Sequence, residues 1–253
     1  MGEAVTQERY PVPPEDLRWR AAGMRDVEGF LHSGRTAVEF LDKQALASER
    51  KSLSDFSSIL DFGCGCGRLL RTLRTACDQW AAIHATDIDP SAITWCKQNI
   101  ADASYAVNAE YPPLPYQDQS IDLVLASSVF SHLDADHQFR WLGELQRIVK
   151  PGGYVLASFR HGHAVEAIAD EAERDAILAD LDRTGIAYRT SEAWKGVFPA
   201  WYGDAYHTPE YVQRSWRSYF EVCHIVPAGT IPEDTAVLRA RESTFMQRLF
   251  QRP

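Results

Sequence analysis

The sequence predicts an α/β protein in which helices cover both faces of a mostly parallel sheet. From residue 57 onward, strand-like apolar runs alternate with segments of helical periodicity, which is the pattern of parallel βαβ units. The first of these runs ends in a glycine turn, Asp-Phe-Gly-Cys-Gly-Cys-Gly at residues 61–67. A length of 253 residues suits one such domain, because α/β folds often exceed the usual domain size.

The first 56 residues precede the sheet, and we expect them to form an arm and a helical cap. Residues 1–14 are polar and contain three prolines, which favours an extended arm. From residue 15 to about residue 50, apolar residues recur at helical spacing and are interrupted at Gly23 and Gly34. This pattern predicts two or three helices ahead of the domain at 57–253.

Five strands and three of the helices between them follow from periodicity and turn residues. The strands are predicted at residues 58–62, 80–86, 103–107, 121–126 and 154–159, and the helices at 68–76, 90–99 and 135–149. Pro90 suits the first turn of its helix because its φ is already helical. Pro151 and the two glycines after it should end the helix at 135–149, since proline cannot continue a helix.

The C-terminal third is predicted to contain helices at 164–181 and 209–220 and two closing strands at 220–226 and 235–241. Between the helices, residues 182–207 show little periodicity and hold several aromatic side chains: Tyr188, Trp194, Phe198, Trp201, Tyr202 and Tyr206. This stretch has two interpretations of equal weight. It is either a lid that supplies apolar walls to an acceptor pocket, or a packed cap core or homodimer contact.

The amino-acid composition limits the binding partners and the cellular compartment that can be expected. The 26 Lys and Arg against 35 Asp and Glu give a net charge of −9, which argues against a nucleic-acid partner unless a local basic patch exists, and the basic residues form no long run. No stretch approaches the roughly 20 apolar residues of a membrane helix, and the five cysteines form no regular disulfide framework. Cys64 and Cys66 have no second ligand pair at zinc spacing, so no metal is expected. These features predict a cytoplasmic protein with no membrane partner.

The glycine turn is the first sign of a nucleotide ligand. Gly63, Gly65 and Gly67 lack Cβ atoms and allow a ligand to approach the backbone, but their spacing departs from the dinucleotide fingerprint, whose third glycine would fall on Arg68. Twenty positions after Gly67, Asp87 ends the second strand, where a carboxylate can accept both ribose hydroxyls. The neighbouring Asp89 is interpreted as a helix N-cap.

Two further features follow along the chain: Asn108 after the third strand, and residues 120–133, which comprise the fourth strand and the segment after it. Together with the glycine turn and Asp87, they resemble class I S-adenosylmethionine-dependent methyltransferases of the bacterial small-molecule type, over about residues 57–160. The resemblance implies a Rossmann-like, seven-stranded sheet whose last two strands form an antiparallel hairpin. It implies S-adenosylmethionine as cofactor and S-adenosylhomocysteine as product. The cofactor-binding residues that it implies are Asp61, Gly63, Cys64, Gly65, Gly67, Asp87, Ile88, Asn108, Ala109, Ser127 and Arg35.

Two of these implied contacts have an alternative. Asn108 stands where the family commonly has the Asp that meets the adenine amino group, and its side-chain oxygen can accept the same hydrogen bond, although it also suits an ordinary turn. Arg35 could meet the methionine carboxylate of the cofactor, and a solvated surface arginine is an equal alternative.

The expected reaction is methyl transfer to a small molecule, with oxygen favoured over nitrogen or carbon as the accepting atom. The cofactor supplies the electrophile, so the protein must mainly hold a nucleophile in line and exclude water. A hydroxyl or ammonium acceptor would gain from a general base. The candidates for this role are His132 at the carboxyl edge of strand four, then His207 and Tyr206, and then His161 and His163, with a plain turn histidine as the alternative for His132.

Three other functions stay open at this point. A nicotinamide oxidoreductase shares the sheet and the acidic residue, although the glycine spacing disagrees with it. A non-catalytic S-adenosylmethionine-binding protein would need no base. An enzyme that transfers the aminocarboxypropyl group or cyclises the cofactor would keep every cofactor motif. The acceptor itself is not identified, because acceptor chemistry lies in the variable cap.

Overall fold

The computed structural model describes residues 9–190 and 194–242. Residues 1–8 of the expected arm and residues 243–253 lie outside this part of the chain. The strands are β1 Ser58–Phe62, β2 Ala82–Asp87, β3 Ser104–Val107, β4 Ile121–Ala126, β5 Val149–Phe159, β6 Ile186–Thr190, β7 Gly203–His207, β8 Glu221–Val226 and β9 Asp234–Arg239. Seven of them form one sheet in the order β3-β2-β1-β4-β5-β9-β8, and β6 pairs with β7 in a separate hairpin.

Strands β1 to β5 pair in parallel, while β9 is antiparallel to both β5 and β8. This confirms the predicted α/β fold with a seven-stranded, mostly parallel sheet and a closing antiparallel hairpin. The bounds predicted for β1 and β4 agree with the structure to the residue.

The helices surround this sheet. They are α1 Glu15–Ala22, α2 Val27–Phe40, α3 Leu70–Ala76, α4 Pro90–Asn99, α5 Ala135–Ile148, α6 Gly162–Glu166, α7 Glu171–Thr184 and α8 Pro209–Trp216, and a π-helical turn at Leu41–Leu46 extends α2. Acidic side chains begin several of them because a carboxylate accepts hydrogen bonds from the free amides of the first turn. Asp89 does this for α4, as expected, by accepting from the amide of Ser91 at 2.8 Å.

Alternate residues of the central strands belong to two separate hydrophobic cores, one on each face of the sheet. In β1, Ile59 packs on one face of the sheet with α2, α3 and α4, whereas Leu60 packs on the other face with α5 and α8. Both side chains are fully buried. Since neither face of β1 meets water, its sequence is apolar except at its first residue, Ser58, and at Asp61, whose buried carboxyl group needs a functional explanation.

The segment that follows β5 differs from the prediction. One helix was expected over 164–181, but the chain forms α6 and α7, because Asp170 begins a new helix by accepting from the amide of Glu173 at 2.8 Å. The aperiodic stretch 182–207 contains the antiparallel pair β6 and β7, with the described residues 194–202 between them. Strand β5 also begins at Val149, earlier than expected, and runs through the Pro-Gly-Gly sequence.

In the described part of the chain, no helix has the length and apolar character that crossing a membrane requires.

Candidate active site

The carboxyl ends of β1, β2, β3 and β4 border a cavity of about 950 Å³, including its mouth. Nine residues predicted to bind the cofactor line it: Asp61, Gly63, Cys64, Gly65, Asp87, Ile88, Asn108, Ala109 and Ser127. We call it the cofactor cavity. Two predicted residues are not part of its lining. The site of a Cβ on Gly67 faces the side chains of Ile100 and Cys96, and Arg35 is exposed on α2.

The glycine turn needs its glycines for two reasons at once. Gly63 and Gly65 have φ values of 78° and 54°, which other residues adopt rarely. A Cβ atom on Gly63 would lie 2.4 Å from the side chain of Val129, and one on Gly65 would lie 2.6 Å from the Cβ of Ala21. Ala21 belongs to α1, so the absence of a side chain at Gly65 lets this cap helix lie directly on the turn.

Asp87 joins the turn to the end of β2. Its Oδ2 accepts the amide hydrogen of Gly65 at 2.7 Å, and its Oδ1 accepts that of Asp89 at 2.8 Å. Burial raises the pKa of Asp87 to about 6, despite these two hydrogen bonds to the ionised form. A carboxylate offers about four lone-pair sites, so two remain for ligand hydroxyls.

Asp61 lies one strand away, at the end of β1, and is 2 % exposed. Burial raises its pKa to about 7, with Asp87 adding to the shift and the guanidinium of Arg68 opposing it. Arg68, the residue that breaks the dinucleotide pattern, also lines the cavity and donates to Ser127 Oγ at 3.1 Å. The cavity floor thus holds two carboxyl groups that ionise incompletely near neutral pH and one half-buried arginine.

Two buried acceptor atoms in this cavity have no hydrogen-bond donor among the described residues. They are Asp61 Oδ2 and Asn108 Oδ1, and the amide of Asn108 is oriented by its own donation to the carbonyl of Ala109 at 2.9 Å. Strand β2 lies between their strands, which places them on the order of 10 Å apart at ordinary strand spacing. S-adenosylmethionine carries two separate nitrogen donors, the methionine ammonium and the adenine amino group. The two unpartnered acceptors therefore fit this cofactor.

The charge of the cavity lining fits it as well. Among the described residues, the lining has two arginines against four carboxyl groups: Arg20, Arg68, Asp61, Asp87, Asp89 and Glu110. An excess of negative charge suits a ligand that carries a sulfonium cation.

Two elements that the motifs did not predict cover this cavity. Helix α1 contributes Leu17, Arg20 and Ala21 to the lining, and the segment 194–202 contributes Phe198, Trp201 and Tyr202. The two covers touch, since the ring centroids of Trp19 and Trp194 are 6.4 Å apart. The aromatic composition of 182–207 was a sequence signal for the second cover.

His132 lies at the inner edge of the aromatic cover. Its ring stacks on Tyr202 at a centroid distance of 4.6 Å, and Tyr202 stacks in turn on Phe198 at 4.3 Å. Its Nδ1 lies 2.8 Å from the carbonyl oxygen of Gly203, so this nitrogen carries the hydrogen of the neutral ring. The other nitrogen, Nε2, faces a guanidinium nitrogen of Arg160 at 3.2 Å. Burial and this arginine lower the pKa of His132 to about 4.

The structure places the other candidate bases away from the cofactor cavity. His207 is fully buried; its Nε2 lies 2.8 Å from Gln138 Nε2, and its ring packs against Phe159 and Trp216. Tyr206 packs into the small core between α7 and the β6–β7 hairpin. Neither residue lines the cofactor cavity, so these positions favour structural roles.

A second cleft of about 1,610 Å³ adjoins the cofactor cavity. It is bounded by α1, the start of α2, α6 and the turn between β8 and β9. The two spaces share six lining residues, Arg20, Ala21, Arg68, Ser128, His132 and Tyr202. We call this second space the acceptor cleft. His163, one of the weaker histidine candidates, lines it and contacts the carbonyl of Pro232 at 2.7 Å.

Part of the chain is similar to known proteins. Residues 60–157 match the model of a methyltransferase domain family. The chain is similar to a tRNA N(3)-methylcytidine methyltransferase of Schizosaccharomyces pombe, with 27% identity over 76% of this chain and 68% of the relative. It is also similar to a tRNA (carboxymethyluridine(34)-5-O)-methyltransferase of Arabidopsis thaliana, with 30% identity over 64% of this chain and 36% of the relative.

A third relative is the malonyl-[acyl-carrier protein] O-methyltransferase of Hahella chejuensis, with 32% identity over 40% of this chain and 35% of that protein. The chain thus spans between about one third and two thirds of the length of these three relatives. Among solved structures, a methyltransferase of Methanosarcina mazei covers 80% of this chain with all of its own length, at a TM-score of 0.56 and 18% identity. This likeness shows the fold.

Together these matches confirm the predicted S-adenosylmethionine-dependent methyltransferase and its cofactor. The expectation that nucleic acid plays no part is wrong, because three of the similar proteins are tRNA methyltransferases. The error has a physical cause. The net charge of −9 is a sum over the whole chain, whereas a partner contacts one surface.

Proposed function

We propose that this S-adenosylmethionine-dependent methyltransferase methylates an oxygen atom of an acceptor bound in the acceptor cleft. The observation that carries the proposal is that the two spaces adjoin and share the lining residues Arg68, Ser128, His132 and Tyr202. An acceptor in the cleft therefore lies next to the cofactor cavity. When bound, S-adenosylmethionine supplies an electrophilic methyl group.

The residues of the cofactor cavity have separate tasks in this proposal. Asp87 holds the ribose, Asn108 accepts from the adenine amino group, and Asp61 accepts from the ammonium group. Each assignment rests on an acceptor atom in the cavity lining with capacity for another hydrogen bond. Helix α1 and the segment 194–202 cover the mouth and exclude water, which strengthens electrostatic interactions inside. We propose that residues 182–207 act as a lid that excludes water from the cofactor cavity.

In this proposal, His132 has a positioning role and does not act as a strong base. Its Nδ1 hydrogen is held by Gly203, its Nε2 faces Arg160, and its pKa of about 4 makes it a poor acceptor for a hydroxyl proton. A nucleophile that is already ionised needs no base, and oxygen acids supply such nucleophiles. Two similar proteins named as O-methyltransferases support oxygen as the accepting atom.

The direct test is calorimetry followed by product analysis. S-adenosylmethionine and S-adenosylhomocysteine should both bind the purified protein, and failure of both to bind would refute the cofactor assignment. Turnover should yield S-adenosylhomocysteine and an acceptor that is heavier by one methylene group. Release of methylthioadenosine instead would show that another group is transferred.

A further inference from the structure

The charged side chains that line the acceptor cleft are mostly basic. Among the described residues, its lining sets one carboxylate, that of Glu233, against the guanidinium groups of Arg20, Arg68 and Arg160, and it also holds three imidazole rings, those of His32, His132 and His163. The cofactor cavity next to it has the opposite balance. A positive cleft beside a negative cavity orients an anionic acceptor toward a cationic methyl donor.

Two of the carboxylates that pair with these arginines lie outside the cleft, while Glu233, which contacts Arg160, lines it. Asp89 contacts Nε of Arg20 at 3.0 Å and belongs to the cofactor cavity. Asp204 accepts a hydrogen bond from Arg160 and is not part of the cleft lining. These pairs keep the arginines ordered in the free protein. The cleft lining nevertheless holds three guanidinium groups against the one carboxylate of Glu233.

Arg160 lies where the cleft meets the cavity. Its Nη2 is 3.2 Å from His132 Nε2, its Nη1 is 3.2 Å from the carbonyl oxygen of Ser131, and its Nε is 3.6 Å from a carboxylate oxygen of Glu233. A guanidinium has five N–H donors in a planar fork, and two of them are on Nη2. The contact of Arg160 Nη2 with His132 uses one of these two hydrogens, so the other remains for a ligand. Planar oxyanions are the groups that this fork matches best.

We propose that the accepting group is a carboxylate, which binds in the acceptor cleft beside Arg160 and is converted to a methyl ester. This inference rests on the proposed function and names its substrate class. The carboxylate oxygen forms a bond to the methyl carbon as the carbon–sulfur bond breaks, and the electron pair of that bond stays on sulfur. An anion and a cation become two neutral groups, and no proton moves.

The surroundings of His132 agree with this reaction. A carboxylic acid with an ordinary pKa near 4 is ionised at neutral pH, so its oxygen attacks without help from a base. A hydroxyl or ammonium acceptor would need its proton removed, and the nearest ring nitrogen, His132 Nε2, is already directed at Arg160. His132 is therefore poorly placed to serve an alcohol acceptor, whereas an acid needs no base.

The chemistry of the product provides the first test. The full chain is incubated with S-adenosylmethionine carrying a radiolabelled methyl group and, separately, with the RNA, the protein and the small-molecule fractions of a cell extract. Mild alkali hydrolyses a methyl ester to methanol, while N-methyl, C-methyl and ether methyl groups stay in place. We expect label in an acceptor fraction and its release as volatile methanol. The fraction that is labelled tells whether RNA, a protein or a small acid carries the carboxylate.

The possible results separate the two proposals. Label that resists alkali would overturn the carboxylate and leave methyl transfer standing. If no fraction becomes labelled although S-adenosylmethionine binds, the proposed function fails, and the carboxylate fails with it. Label that is released as methanol supports both proposals.

Charge substitutions in the cleft provide the second test. His32 is exposed on α2, where a substitution should not disturb folding. With the labelled fraction as substrate, His32→Glu should raise the apparent KM for the acceptor by about threefold to tenfold and His32→Lys should lower it, because one charge near the surface has an effect of this size. The affinity for S-adenosylmethionine should not change.

Thr75→Glu and Thr75→Lys on α3, outside both spaces, are the matched controls. Equal KM values for both His32 variants, or the opposite order, would overturn the proposal.

Discussion

The amide of Gly65 donates a 2.7 Å hydrogen bond to Asp87 Oδ2, and this bond ties the glycine turn after β1 to the end of β2. Two further bonds support the same junction, since the amides of Gly63 and Cys64 both donate to the carbonyl of Thr86. The turn therefore keeps its shape in the free protein, and the cofactor meets a site that is already formed. Preorganisation of this kind lowers the ordering cost of binding.

The first prediction concerns the charge of Asp87. Asp87→Asn should weaken S-adenosylmethionine binding by about 1.5–3 kcal/mol, or about tenfold to 150-fold, because one amide oxygen cannot accept all the bonds that a carboxylate accepts. Calorimetry measures the change. Asp136→Asn, an exposed acid on α5 that pairs with Arg140, is the control and should bind normally. An unchanged affinity in Asp87→Asn would show that this carboxylate does not hold the ribose.

The second prediction concerns pH. In the free protein, burial raises the pKa of Asp61 to about 7 and that of Asp87 to about 6, so both carry protons at mildly acidic pH. A cationic ligand favours their ionised forms, so binding releases protons. Affinity should rise as pH increases from about 5 to 8 and should be lost as pH falls through these two values. Calorimetry in buffers of different ionisation enthalpy counts the released protons.

The substitution Asp61→Asn separates the two carboxyl groups. It should weaken binding at pH 8 and remove the part of the pH dependence that lies above about pH 6.5, since the remaining group has a pKa of about 6. A wild-type affinity that is flat between pH 5 and pH 8 would contradict the assignment of both carboxyl groups to the cofactor cavity.

The third prediction separates backbone strain from a steric clash. Gly65→Ala places a Cβ 2.6 Å from Ala21 at a positive φ, so it both strains the turn and pushes α1 away from the cavity. Gly152→Ala creates similar strain at a φ of 78°, but its Cβ would meet only ordinary contacts. Both variants should lose about 1 kcal/mol of stability from strain. Only Gly65→Ala should bind S-adenosylmethionine at least tenfold more weakly, as calorimetry would show.

Local signals explain which parts of the site were predictable. The residues predicted at the ends of β1 and β2 line the cavity, because a buried strand that stops at a glycine or an aspartate fixes where its last side chains lie. Asn108 and Ser127 followed in the same way from the next two strands. For these residues, the position along the chain determines the position in the site.

The rest of the site depends on contacts between distant parts of the chain. Arg20 reaches the cavity because α1 lies on Gly65, and Arg160 meets His132 because β5 neighbours β4. No periodicity encodes such approaches. His207 shows the reverse case: its aromatic neighbours in the sequence suggested a site, whereas the alternation of β7 directs its side chain into the core.

The last prediction tests the structural role of His207. Burial lowers its pKa to about 3, far below the value of about 6.5 in an unfolded chain, so the unfolded state binds more protons between these values. Stability is therefore lost as pH falls from about 6.5 toward 3, by up to about 1.4 kcal/mol per pH unit for this one group.

His207→Phe keeps a ring against Phe159 and Trp216 and removes the titrating group. Urea unfolding between pH 4 and 7 should show a shallower loss of stability in this variant than in the wild type. Its affinity for S-adenosylmethionine should stay the same at pH 8, because His207 lies outside the cofactor cavity. A pH slope like that of the wild type, or a large loss of cofactor affinity, would return His207 to the list of candidate bases.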